Sequence, residues 1–178
     1  DLWHDEALQV IKLIEILNYE KVNLIGSSGG ALVAINVALE RADLVNKIIA
    51  DSFEGEIALD SFASTIEQDR AISKTIPEVQ SFYEYNQGFD WETVIDNDTR
   101  VIKEHYKTIK CFFHHSLYTL KCDILMIGSK EDIFMPGDFY EKTYTKLIEK
   151  IGHGEKYIFS SGEHPAMISN AETFARLA

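Results

Sequence analysis

Gly26-Ser27-Ser28-Gly29-Gly30 is the first place in this sequence where residue type and spacing could do covalent chemistry. A serine hydroxyl is a weak nucleophile that needs a base to take its proton and backbone donors to hold the oxyanion it creates. The pattern Gly-x-Ser-x-Gly offers one way to arrange this when a strand precedes it and a helix follows. A turn that sharp strains the serine backbone, and glycine on either side removes side chains that would collide with strand or helix. Ser28 is therefore the candidate nucleophile. Gly29, as the first residue of the following helix, would offer its amide to the oxyanion.

Six histidines are available to act as base. His164 alone is expected in a loop that follows a strand-like run, Lys156-Tyr157-Ile158-Phe159, and precedes the final helix. The C-terminal ends of parallel strands gather such loops at one edge. His4, His105, His114, His115 and His153 fall in expected helices or helix-end turns, where surface or packing roles suffice. The acid that orients the base should also leave a strand end. Asp132, after Cys122-Asp123-Ile124-Leu125-Met126-Ile127-Gly128, fits, with Glu131 its solvated neighbour. Asp51 is a second carboxylate at a strand end, for which capping the next turn is the plainer role.

The elements that must hold these residues alternate. Trp3, Ala7, Val10, Ile11, Ile14 and Leu17 recur at helical steps, predicting an amphipathic helix over 2–17. A β-prone run at 22–25 leads into the serine turn, and Ala31 to Arg41 reads as a buried helix. A second run, 47–50, should lie parallel to the first because a helix intervenes. Residues 136–138 open a helix running to about Lys150, and a last helix is expected from Ala166 onward. The fold class implied is α/β, a mostly parallel sheet with flanking helices. Residues 1–53 and 121–178 form the expected core, and 54–120 a mostly helical insertion rich in aromatics.

Ser, then Asp, then His is the α/β-hydrolase order. The segments around them resemble small esterases, non-haem haloperoxidases, proline iminopeptidases and the valacyclovir-hydrolase group of that superfamily. In those families the acid lies in a Gly-x-x-Asp-x-x-x-Pro setting. Asp132 and Pro136 match it here, with Gly128 one residue farther away. The resemblance implies an α/β-hydrolase fold in which residues 54–120 are a cap, whose aromatics line the substrate pocket. Phe82, Tyr83, Trp91 and Phe112, together with Phe134 of the acid loop, are the candidates for that lining.

It also implies strands before the serine strand and a loop among them that donates the second oxyanion amide. Nothing in this sequence matches that part. A half-sheet with an exposed edge is the consequence, and an N-terminal piece of several tens of residues is expected to be absent, cleaved or supplied by another chain.

The expected activity is hydrolysis of a small carboxylic ester or related acyl bond through an acyl-enzyme. Peptidase or amidase, perhydrolase and carbon–carbon hydrolase chemistry would use the same parts, and a non-catalytic ligand-binding member of the fold is the alternative from another class. No cofactor and no metal is expected: Cys111 and Cys122, the two cysteines, lack zinc-site spacing and read as reduced thiols. The formal charge of −12 would repel nucleic acid. No apolar run suits a membrane span, and the start lacks a signal-peptide pattern. A small-molecule substrate and a cytoplasmic setting follow as expectations, with a homo-oligomer left open.

Overall fold

A computed structural model describes residues 2–178. Four parallel strands form one sheet in the order β1-β2-β3-β4: β1 Val22–Ser27, β2 Val45–Asp51, β3 Asp123–Ser129 and β4 Glu155–Phe159. Because every strand runs the same way, the loops that leave Ser27, Asp51, Ser129 and Phe159 emerge at one edge. Ser27 pairs in register with Asp51, Asp51 with Ile127, and Ser129 with Phe159. β1 is an edge strand among the described residues, with Ile25 on an exposed face.

Helix α1 (Leu2–Ile16) buries Trp3, Ala7, Ile11 and Ile14, the stripe its spacing predicts. Helix α2 (Gly29–Glu40) is buried at every position from Ala31 to Ala38. It therefore carries no polar face there, as expected of a helix covered on all sides. Residues 3–57 and 111–178 make one compact unit and 58–110 a second. The second is narrower than the expected 54–120 insertion. Phe112, Phe113, Leu117 and Leu120 are buried, and an antiparallel bridge pairs Ile57 with Cys111, so those stretches belong to the core unit.

The second unit consists of α3 (Asp60–Ser73), α4 (Pro77–Gln87) and α5 (Trp91–Thr108). Arg70 to Asp98, Lys74 to Asp96 and Lys103 to Glu67 are ion pairs between α3 and α5. Tyr83 stacks on Trp91 with centroids 5.6 Å apart.

In the core unit, α6 (Phe139–Ile151) buries Tyr140, Tyr144, Leu147 and Ile151, one side of the helix. Leu147 and Ile151 each contribute about 1.5–3 kcal/mol by leaving water. The chain after Ala166 departs from the single helix expected. It breaks at Asn170 into α7 (Ala166–Ser169) and α8 (Ala171–Leu177). Asn170 sits at φ −122°, ψ 33°, outside helical geometry, and its side-chain amide donates to the Ser161 carbonyl at 3.0 Å, a partner that an unbroken helix would not need. No helix among the described residues is long and apolar enough to cross a membrane.

Candidate active site

Ser28 lies between the last residue of β1 and the first of α2, with φ 53° and ψ −122°. This is the left-handed side of backbone space, which costs a non-glycine residue about 1–3 kcal/mol and persists only when neighbours enforce it. The neighbours are visible. Ser28 N donates to the Asp51 carbonyl at 2.8 Å, and its own carbonyl accepts from Ala31 N at 3.0 Å. A Cβ on Gly26 would lie 2.2 Å from the Gly30 carbonyl oxygen, so strand and helix meet there without room for a side chain. A Cβ on Gly29 would meet the Trp3 ring at 2.7 Å. Gly30, by contrast, faces open space. The tight approach thus requires glycine at 26 and 29, and at Gly30 it uses only the backbone.

Asp132 is fully buried in the loop between β3 and α6. Its Oδ2 accepts from His164 Nδ1 at 2.7 Å and from the Tyr140 hydroxyl at 2.6 Å, and its Oδ1 from Phe134 N at 2.9 Å. Burial pushes this carboxyl up, but the hydrogen bonds from His164 and Tyr140 and the nearby imidazole outweigh it and hold the group below the usual carboxylate range. Asp132 is therefore an anion fixed in direction. A carboxylate bound to Nδ1 leaves the other ring nitrogen, Nε2, to exchange a proton elsewhere.

Tyr140 is set by the sheet. A Cβ on Gly128 would lie 2.4 Å from its ring, so glycine in β3 makes the seat that aims the hydroxyl at Asp132. Glu131 is exposed, yet its Oε2 accepts from Gly162 N at 3.2 Å and ties the acid loop to the histidine loop.

Asp51 does more than cap a turn. Its Oδ2 accepts from Ser27 Oγ at 3.1 Å and Met167 N at 3.2 Å, and its Oδ1 from Ser52 Oγ at 3.0 Å. Ser52 Oγ in turn accepts from Ala166 N at 2.9 Å. One buried carboxylate thus links the residue before Ser28 to a residue three beyond His164. Burial is the largest influence on its carboxyl and raises it, despite those three donors and the His164 charge. Its position at a strand end was the available signal, but the partner is over a hundred residues away in sequence.

The candidate aromatics separate. Phe134 meets the His164 ring edge-on at 5.1 Å. Phe112 departs from the pocket-lining expectation: it is 2% exposed in the core unit, edge-on to Trp3 at 5.7 Å, where it fills space between α1 and its own loop. Tyr83 and Trp91 stack within the helical unit, and Phe82 there is largely exposed.

No protein-family model matches the sequence, and no curated protein matches it at a significant level. Solved structures do match in shape. A serine hydrolase from the polyaromatic-hydrocarbon-degrading bacterium Cycloclasticus zankles aligns with TM-score 0.67 and 17% identity, over 96% of this chain and 67% of its own. A carboxylesterase structure from the thaumarchaeon Nitrososphaera gargenis aligns with TM-score 0.69 and 14% identity, over 98% and 70%. A meta-cleavage product hydrolase from Pseudomonas fluorescens IP01 aligns with TM-score 0.63 and 19% identity, over 94% and 66%. The fold is that of the α/β hydrolases. The chain spans about two thirds of the length of these structures.

Proposed function

We propose that the protein is a serine hydrolase that cleaves a small carboxylic ester or related acyl bond through an acyl-enzyme. The observation that carries this reading is the hydrogen bond between buried Asp132 and half-buried His164 at the sheet edge that also bears the strained Ser28 turn. Ser28 Oγ attacks the carbonyl carbon while His164 takes its proton, and the carbonyl electrons move onto oxygen. The Gly29 amide, at the N-terminus of α2, stabilises that oxyanion. Collapse expels the alcohol, which receives the proton from His164. Water, deprotonated by His164, then attacks the acyl-enzyme and releases the acid and Ser28.

Asp132 holds the tautomer and offsets the imidazolium charge without itself taking the proton. Phe134, against the histidine ring, is the aromatic best placed to contact a substrate group. The similar structures include a carboxylesterase and a meta-cleavage product hydrolase, so the bond broken is a question for substrates rather than for shape.

A fluorophosphonate probe tests the class directly. The purified protein should be labelled at Ser28, and Ser28→Ala should abolish labelling and the hydrolysis of short-chain p-nitrophenyl esters together. Labelling that survives Ser28→Ala, or an unlabelled folded protein, would overturn the assignment.

A further inference from the structure

At the end of α2 opposite Ser28, three histidines gather round one carboxylate. His4 Nε2 and His115 Nε2 each lie 3.0 Å from Glu40 Oε1. His114 stacks on His4 with centroids 4.0 Å apart and planes 11° from parallel. Donor atoms of His4, Glu40 and His114 all fall within 4.8 Å of one another. Glu40 ends α2, roughly 16 Å along the helix from its start, so this cluster is separate from the serine turn.

We propose that His4, Glu40 and His114 bind one divalent transition-metal ion of the zinc type, with His115, which meets the same Glu40 oxygen as His4, helping to orient that carboxylate. The donor set argues for the ion. Two imidazoles and a carboxylate suit a borderline cation such as Zn²⁺ and not Mg²⁺ or Ca²⁺, which prefer oxygen. The spacing argues for it too. Ligands at the usual zinc distances stand about 3.3 Å apart, so the His4 to Glu40 contact already has nearly that separation and the His4 and His114 rings need only splay from their stack.

The scaffold supplies preorganisation. Each donor follows or precedes a buried anchor in the core unit. Trp3, beside His4, is buried edge-on to Phe112. Asn36, one turn before Glu40, is fully buried and donates to the Phe112 carbonyl at 2.8 Å. Phe112 and Phe113, just before His114, are buried as well. α1, α2 and the loop are thus already joined beneath the cluster, and an ion would add a further tie at its surface. The net charge of −12 favours cation approach. None of this depends on the hydrolase reading.

The test is a titration of the chelator-treated protein with Zn²⁺ alone, followed by Co²⁺ absorption spectroscopy. Expected are one Zn²⁺ per chain, a raised melting temperature, and visible Co²⁺ bands of a low-coordinate nitrogen and oxygen site. His4→Gln, Glu40→Gln and His114→Gln should each weaken binding by about tenfold or more, and His115→Gln by less. These partly exposed side chains leave the buried anchors in place, so metal-free melting curves should match the parent. The proposal is overturned if no saturable binding is found below about 100 μM. Equal affinity in the His4→Gln/His114→Gln double variant overturns it as well, as does binding that disappears only with Cys111→Ser or Cys122→Ser.

Discussion

Tyr140→Phe removes a single oxygen from the centre of the site and leaves the ring in the seat made by Gly128. The lost hydroxyl donates at 2.6 Å to Asp132 Oδ2, an atom with no exposure to solvent. Hydrogen bonds to charged groups contribute about 1.5–3 kcal/mol, and the lower half applies here because the variant also avoids burying a hydroxyl. Asp132 keeps His164 and the Phe134 amide as donors, so the site should persist but be less stable.

The pH dependence identifies the cause. The Asp132 carboxyl is held low in the folded state, so its contribution is complete above the unfolded value of about 3.9 and is lost as pH falls through the folded one. Removing a donor raises the folded value toward the unfolded one. The difference between parent and variant should therefore be flat from pH 8 to 5 and shrink below about pH 4.

Tyr140 itself is pushed up by burial, by neighbouring Tyr144 and by the Asp132 charge. A raised folded value means stability present below about pH 10 and lost above it, so the parent should decline faster than the variant in alkali. Urea unfolding across pH measures both limbs. A loss under about 0.5 kcal/mol at pH 7, or one that does not change in acid, would refute the reasoning.

Asp132→Asn should lower kcat by about 10⁴-fold with the fold retained, since an amide cannot hold the same imidazole tautomer; steady-state kinetics beside circular dichroism would show whether activity falls without unfolding. Gly26→Ala forces a methyl onto the Gly30 backbone and should cost about 3 kcal/mol or more, whereas Gly30→Ala meets open space in a helix and should change stability by no more than about 1 kcal/mol. Denaturant melts of the two single variants check this, and equal losses would contradict the close approach seen at Gly26. Ser28→Ala labelling and the zinc titration complete the set.

Local pattern was sufficient for most elements of the core unit and for naming Ser28, Asp132 and His164 as candidates. Helical spacing in α1, the apolar runs of β1 to β4 and the glycines around Ser28 are each set by neighbours a few positions apart, so they are legible in order along the chain. Asp132 and His164 could be named because parallel strands send their following loops to one edge, a rule of chain connection rather than of these side chains.

What only the tertiary structure decided involves residues distant in sequence. Asp51 meets Met167, Tyr140 enters the acid's hydrogen bonds from α6, Trp3 fills the space that makes Gly29 necessary, and Phe112 turns inward to Trp3 instead of toward a pocket. The histidine cluster has the same origin, since His4, Glu40 and His114 come from the start of one helix, the end of another and a loop beyond the helical unit. Spacing along a chain constrains which face a side chain occupies. Which other face it meets depends on how whole elements bury one another, and that is determined only when the core closes.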